Sequence, residues 1–163
     1  MPTRQGKVEA SQAGTHEGFM RLALQEAKAA LHAGEVPVGA IVVLGGEVVG
    51  SGFNQPIRGL DPTAHAEVVA LRQAARALGN YRLLGASVYV TIEPCLMCVG
   101  ALIQARVAEV IYGAPEPKAG ALRSTLQFEA LAVNHRFKVA SGVLESECGQ
   151  IVVDFFKYRR ERA

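Results

Sequence analysis

Hydrophobic positions repeat with a helical period from His16 to Ala33. Met20, Leu24, Ala27 and Leu31 recur three or four residues apart, and Gly34 stands where such a helix would stop. The pattern then changes. Val38 to Leu44 is rich in β-branched residues, Gly45-Gly46 follows, and Glu47 to Gly50 resumes, which predicts two antiparallel strands joined by a tight turn. Phe53 to Pro62 is a loop rich in Asn, Pro and Gly. Good helix formers dominate from Thr63 or Ala64 to Leu78, with Gly79 just beyond. Ser87 to Ile92 reads as a buried strand. A short helix is predicted from Pro94 or Cys95 to Ala105, since proline suits a first helical turn. Val107 to Tyr112 is a further strand, and Gly113 to Gly120 a loop containing Pro115 and Pro117. Ala121 to Leu131 is a weakly patterned helix, Phe137 to Gly142 a fifth strand, and Val143 to about Arg162 a final helix. Strands alternating with helices predict a three-layer α/β/α fold around a five-stranded mixed sheet, its first two strands a hairpin and its later ones mostly parallel.

Composition refines this picture without changing it. A chain of 163 residues favours one domain. The first fifteen residues are polar and mixed in charge, so the expected organisation is a flexible tail over 1–15 and a domain over 16–163. The tail lacks the apolar segment of a secretory signal, and no apolar run in the chain is long enough to span a membrane. The formal net charge of +2 does not point to a strongly basic nucleic-acid binder, nor does it exclude nucleic-acid binding. It leaves room for a local patch such as Lys157, Arg159, Arg160 and Arg162, which also reads as a solvated helix end. Three cysteines are an odd number, and two of them, Cys95 and Cys98, lie close together. That usage suggests a reducing, cytoplasmic setting and metal binding over a disulfide.

Two short motifs carry the chemistry. His65-Ala66-Glu67 follows Asp61-Pro62-Thr63, and Cys95-Leu96-Met97-Cys98 follows Glu93-Pro94; each is expected to open a helix. Cysteines three apart on a helix share one face and can grip one ion. The helix N-terminus favours thiolate, the metal-binding form. With His65 as third ligand, a tetrahedral zinc ion keeps one position for water, which is the catalytic arrangement. Zinc lowers the pKa of its water from about 16 to about 7, giving a hydroxide able to attack a ring carbon that bears an amine. Glu67, two residues from His65, is placed as a neighbour of the metal and a carrier of the proton to the leaving amine. Each motif alone has plainer readings. Cys-x-x-Cys also occurs in redox pairs and structural zinc sites, and Cys148 would be the fourth ligand of a structural site, although it reads better as a small buried apolar group. His16, His32 and His135 read as surface or structural residues. The combination of both motifs matches the known signature of zinc deaminases.

The sequence resembles the cytidine deaminase-like superfamily, and within it the bacterial tRNA-specific adenosine deaminases. Besides the zinc motifs, the likeness rests on Glu35-Val36-Pro37-Val38-Gly39-Ala40, Asn54-Gln55-Pro56, Asp61 through Glu67, Asn80-Tyr81-Arg82-Leu83, Tyr89-Val90-Thr91, Asn134-His135-Arg136 and Asp154-Phe155-Phe156. It spans roughly residues 16 to 160. It implies a cytidine deaminase-like fold and a cytoplasmic homodimer with one zinc ion per subunit. It also implies conversion of the wobble adenosine of a tRNA anticodon arm to inosine. Carried over, His65, Cys95 and Cys98 are the ligands and Glu67 the proton shuttle. Asn54 would hydrogen-bond the nucleoside, Val36 and Pro37 would line its pocket, Glu116 would lie near the ribose, and Phe155 with the basic residues after it would approach the RNA. The chain departs from the family pattern where Glu116, flanked by Pro115 and Pro117, replaces an Asp. A second departure is Glu129-Ala130-Leu131-Ala132-Val133, in place of a stretch containing His, Pro and Gly. The same zinc chemistry also fits a deaminase of free cytosine, guanine or a related small molecule. A non-catalytic RNA-binding subunit is a third possibility, disfavoured because Glu67 is present.

Overall fold

The computed structural model describes residues 14–162. The expected tail over 1–15 lies outside the described residues except for Gly14 and Thr15. The chain orders itself as helix α1 (His16–His32), strands β1 (Gly39–Leu44) and β2 (Glu47–Phe53), helix α2 (Ala66–Leu78), strand β3 (Ser87–Ile92), helix α3 (Leu96–Ala105), strands β4 (Glu109–Ala114) and β5 (Lys138–Ala140), and helix α4 (Glu145–Arg162). A single helical turn at Pro56–Gly59 and a 3₁₀ turn at Phe128–Ala130 interrupt the longer loops.

The sheet runs β2-β1-β3-β4-β5. β1 pairs antiparallel with both β2 and β3, while β3–β4 and β4–β5 are parallel. This is the mixed five-stranded sheet the sequence predicts. Side chains alternate across it as strand geometry requires. Ala40, Val42, Val88, Val90, Val110 and Tyr112 join the core beneath α2 and α3. Ile41, Val43, Tyr89 and Ile111 join the core shared with α1 and with Cys148 of α4. Both faces are thus covered, and the strands read as near-continuous hydrophobic runs.

Helix ends follow local chemistry. The Thr15 hydroxyl accepts from the Gly18 N–H at 3.1 Å and caps α1. Gly79, in the left-handed conformation, ends α2. Glycine also sets how close α2 comes to the sheet: a Cβ on Gly52 would stand 2.7 Å from the Ala70 nitrogen, so only glycine lets the helix backbone lie directly on β2.

The expected helix over Ala121–Leu131 does not form. Its first amides, those of Leu122, Arg123 and Ser124, point together at the Glu93 carboxylate, and Phe128 N–H donates to Leu122 O, too distant in sequence for an α-helical ladder. A tertiary acceptor has curled the segment into turns, leaving one 3₁₀ turn at its end. Strand β2 runs three residues beyond Gly50 and brings Asn54 to the end of the sheet.

Candidate active site

His65 and Cys95 occupy equivalent positions. Each is the extended residue just before a helix, His65 at φ −70° and ψ 154° before α2, Cys95 at φ −75° and ψ 173° before α3. Each was expected up to two residues inside a helix or at its first turn; the structure makes both of them caps. An extended cap frees its side chain from the helix barrel and aims it across the N-terminus, where unpaired amides and the positive end of the dipole favour an anionic ligand set. Asp61 prepares the first of these turns, accepting from the Thr63 N–H at 2.8 Å and the Thr63 hydroxyl at 2.7 Å, and these bonds hold its carboxyl below the usual carboxylate range. Cys98 follows in the first turn of α3 and is fully buried.

The two helix starts meet. His65 Nδ1 lies 3.5 Å from Cys95 Sγ and 3.5 Å from Cys98 Sγ, and all three ligand atoms fall within 4.8 Å of one another. Tetrahedral zinc with Zn–S of about 2.3 Å and Zn–N of about 2.0 Å requires an N–S edge of about 3.5 Å. The residues therefore fit zinc without rearrangement. The hydrogen bond from Cys98 draws the Cys95 thiol down to about 4, and the same bond, with burial, pushes Cys98 upward. A cation held between the two sulfurs would favour the thiolate form of both.

Glu67 sits one residue into α2 and is only 4% exposed. Burial is the main reason its carboxyl is held above the ordinary range. It faces a cavity of about 240 Å³ whose wall also includes His65, Cys95, Val36, Val38, Asn54, Ile92, Glu93, Glu116 and Ala119.

The zinc-binding region of the cytidine and deoxycytidylate deaminases matches residues 13–114 of the chain. The chain belongs to this deaminase family. The tRNA-specific adenosine deaminase of Haemophilus influenzae is 46% identical over 147 residues, covering 89% of this chain and 85% of its own. That of Bacillus subtilis is 44% identical over 149 residues, covering 90% and 91%. A solved structure from a study of A-to-I editing by tRNA:A34 deaminases superposes with a TM-score of 0.80 at 46% identity, over 82% of this chain and 97% of that one. Zinc is the metal of this deaminase family, and His65, Cys95 and Cys98 are positioned to bind it.

Most residues singled out from the sequence converge on the deaminase cavity, and two do not. Val36, Asn54 and Glu116 line it. Pro37 does not: in an extended segment alternate residues face opposite ways, so Val36 and Val38 reach the cavity while Pro37 is buried behind them. Phe155 does not either. It is 6% exposed and packs edge-on to Phe156. It lines a separate groove of about 570 Å³ between α1 and α4, with Leu24, Leu31 and Ile151. That groove is larger than the deaminase cavity but holds none of the metal-ligating side chains. Phe156, one residue on, lies beside the site, in a groove of about 530 Å³ formed with Val152, Val153, Arg160 and the loop Glu116–Ala119.

The sequence reading also missed Val38, Ile92, Glu93 and Ala119 as wall residues. The two-residue alternation from Val36 would have found Val38. In the sequence Glu35 stands out only as the first residue of the motif Glu35-Val36-Pro37-Val38-Gly39-Ala40. It is 1% exposed, and its carboxylate accepts from the Ile57 N–H at 2.9 Å and the Arg58 N–H at 3.0 Å, fastening the turn after Asn54 to the segment that carries Val36.

Proposed function

We propose that this protein deaminates the wobble adenosine of a tRNA anticodon loop to inosine, with His65, Cys95 and Cys98 holding zinc and Glu67 moving the proton. The observation that carries this is the meeting of two helix starts, which puts an imidazole, two sulfurs and a buried carboxyl at the end of one cavity. Bound zinc supplies the Lewis acidity that lets water react near neutral pH. Glu67 takes a proton from that water on a carboxylate oxygen and delivers it to the departing amine, so water and adenosine become inosine and ammonia. Its burial suits a group that must be charged and neutral in turn. Val36 and Val38 pack against the base and exclude solvent, while the Asn54 side chain hydrogen-bonds the nucleoside. A flipped-out base is required, and a loop nucleotide is already partly unstacked.

The groove of Phe156 and Arg160 shares Glu116 and Ala119 with the cavity, which favours it as the path of the flanking RNA. Phe155 is then a support for α4 and not a base platform. We further propose a homodimer in the cytoplasm. Support comes from the apolar side chains left exposed on and beside the zinc-bearing helices, among them Leu60 at 91% and Leu96 at 62% exposure, and from thiols that need a reducing compartment. Among the described residues no helix is long and apolar enough to cross a membrane.

The test is treatment of an anticodon hairpin bearing an unpaired wobble adenosine with the zinc-loaded protein, read by sequencing for adenosine converted to a base that reads as guanosine. Conversion is expected. Ammonia release from free bases without any conversion of RNA would replace this reading with that of a small-molecule deaminase.

A further inference from the structure

Glu93 stands immediately before Pro94 and Cys95, at the end of β3, and is 3% exposed. Its carboxylate meets only donors. One oxygen takes the Glu116 N–H at 3.1 Å and the Ser124 hydroxyl; the other takes the N–H groups of Leu122 at 3.1 Å, Arg123 at 2.9 Å and Ser124 at 3.0 Å. Gly120 lies against the same carboxyl, so close that a Cβ there would overlap Glu93 Cδ. The loop that supplies Glu116 and Ala119 to the cavity wall is therefore wound around one side chain. The segment is also tied by the bridge between Cys95 and Gly120, which contains the bond from Ala121 N–H to Pro94 O, and by the Arg123 guanidinium, which donates to Ser141 Oγ at 3.0 Å and to Val139 O at 3.1 Å.

Within the loop the Glu116 carbonyl accepts from the Gly120 N–H at 2.8 Å; outward, the turn is tied through its one backbone donor. Pro115 and Pro117 carry no N–H, so in Pro115-Glu116-Pro117 a single backbone donor exists, and it goes to Glu93. The Glu116 side chain in turn accepts from the Lys118 N–H at 2.8 Å, so fixing the Glu116 backbone fixes its carboxylate. We infer that Glu93 is a positioning residue for substrate binding: its carboxylate holds Glu116 in the wall of the cavity. This rests on the deaminase reading for its functional consequence and on the geometry alone for the placement of the loop.

Glu93→Gln separates these contacts. The amide oxygen best serves the side with three N–H groups. The amide NH₂ then falls where Glu116 N–H and the Ser124 hydroxyl converge; the hydroxyl can rotate to accept, but the Glu116 N–H cannot, and it loses its partner. The experiment is NMR-detected amide exchange on zinc-loaded wild-type and Glu93→Gln protein, with zinc content, kcat and KM for the anticodon hairpin measured alongside. Loss of one hydrogen bond to a charged acceptor predicts Glu116 amide exchange about tenfold faster, with Leu122 and Arg123 still protected. KM should rise about tenfold while kcat stays within about threefold and zinc remains bound. Unchanged Glu116 exchange overturns the inference. So does a joint loss of zinc, kcat and protection throughout the loop, which makes Glu93 a general support. Should Glu93→Gln fail to fold, the wild-type protein decides: the Glu116 amide must be protected, and rapid exchange there overturns the tie. Absence of inosine formation by the wild type sinks the deaminase reading and leaves the loop placement to the exchange measurement.

Discussion

Two glutamates line the same cavity, each almost wholly buried, and their surroundings are opposite. Glu67 stands at a helix start among the metal-ligating side chains. Burial dominates there and lifts its pKa, against the smaller opposing pull of its own N–H and the Cys98 thiol. Glu93 stands under a loop. Burial pushes its pKa up too, but the Arg123 N–H, the Ser124 hydroxyl and N–H, and the Glu116 N–H together outweigh it, and the net direction is down. Burial alone therefore does not tell what a carboxyl is for. The donor count does. A carboxyl with few donors changes charge at modest cost and suits proton transfer. One that satisfies four amides and a hydroxyl is locked as an anion, and its work is to hold backbone in place.

The comparison can be broken most decisively at the metal, which both regions adjoin. Cys95→Ala removes a ligand and is expected to lose zinc and abolish activity, at least about 10⁴-fold. Metal analysis and inosine formation check this. A variant that kept stoichiometric zinc would mean the ion sits elsewhere.

Glu67→Gln tests the donor-poor side. It keeps shape and hydrogen-bonding atoms but cannot cycle a proton. The expected result is zinc retained and kcat lower by about 10³-fold, with KM little changed. Turnover within tenfold of wild type would show that another group carries the proton. Glu93→Ala tests the donor-rich side and should move different quantities. It orphans buried amides around Gly120–Ser124, so stability should fall by about 3 kcal/mol in a denaturant or thermal titration. The loss in kcat/KM should be about 10²-fold, most of it in KM. If the two variants gave the same profile, the division between proton carrier and scaffold would fail.

This division was only half legible in the sequence. His65, Glu67, Cys95 and Cys98 stand out because metal chemistry needs particular residue types at short spacing, and helix starts are marked by local punctuation. The strands and all four long helices follow from hydrophobic period, helix propensity and punctuation, whereas Val36-Pro37-Val38 is apolar throughout, and its pattern gives no sign that Pro37 turns away while Val38 reaches the cavity. Glu93 could not be read this way. It reaches over twenty residues ahead to take up the amides of a segment whose own pattern is weakly helical, and that acceptor is what denies Ala121–Leu131 its helix. A propensity is local, and a buried carboxylate supplied by a distant strand end overrides it. Phe155 fails for a similar reason. Neighbouring aromatics on α4 face different sides, and only packing decides that Phe155 turns toward α1 and Phe156 toward the Glu116 loop.

The smallest effect is expected where the Glu93-held loop meets α4. Arg160 lies in the groove with Phe156, Pro117 and Lys118. Arg159 is engaged otherwise, over the Phe155 ring at 5.0 Å and donating to Gly34 O at 3.3 Å, so it braces α4 against the end of α1. Of these neighbouring arginines, Arg160 is the one facing the proposed RNA path. A single phosphate contact contributes about one unit to the slope of log affinity against log salt, reduced to about 0.7 for single strands. Arg160→Ala should therefore weaken hairpin binding only several-fold at moderate salt, flatten the salt dependence by about that one contact, and leave kcat, zinc and melting temperature alone. Arg159→Ala should do the reverse, with a small loss of stability and no change in salt slope. If Arg159→Ala changed the slope and Arg160→Ala did not, the RNA would run along the α1 side of α4, and the loop held by Glu93 would shape the cavity without touching the flanking strand.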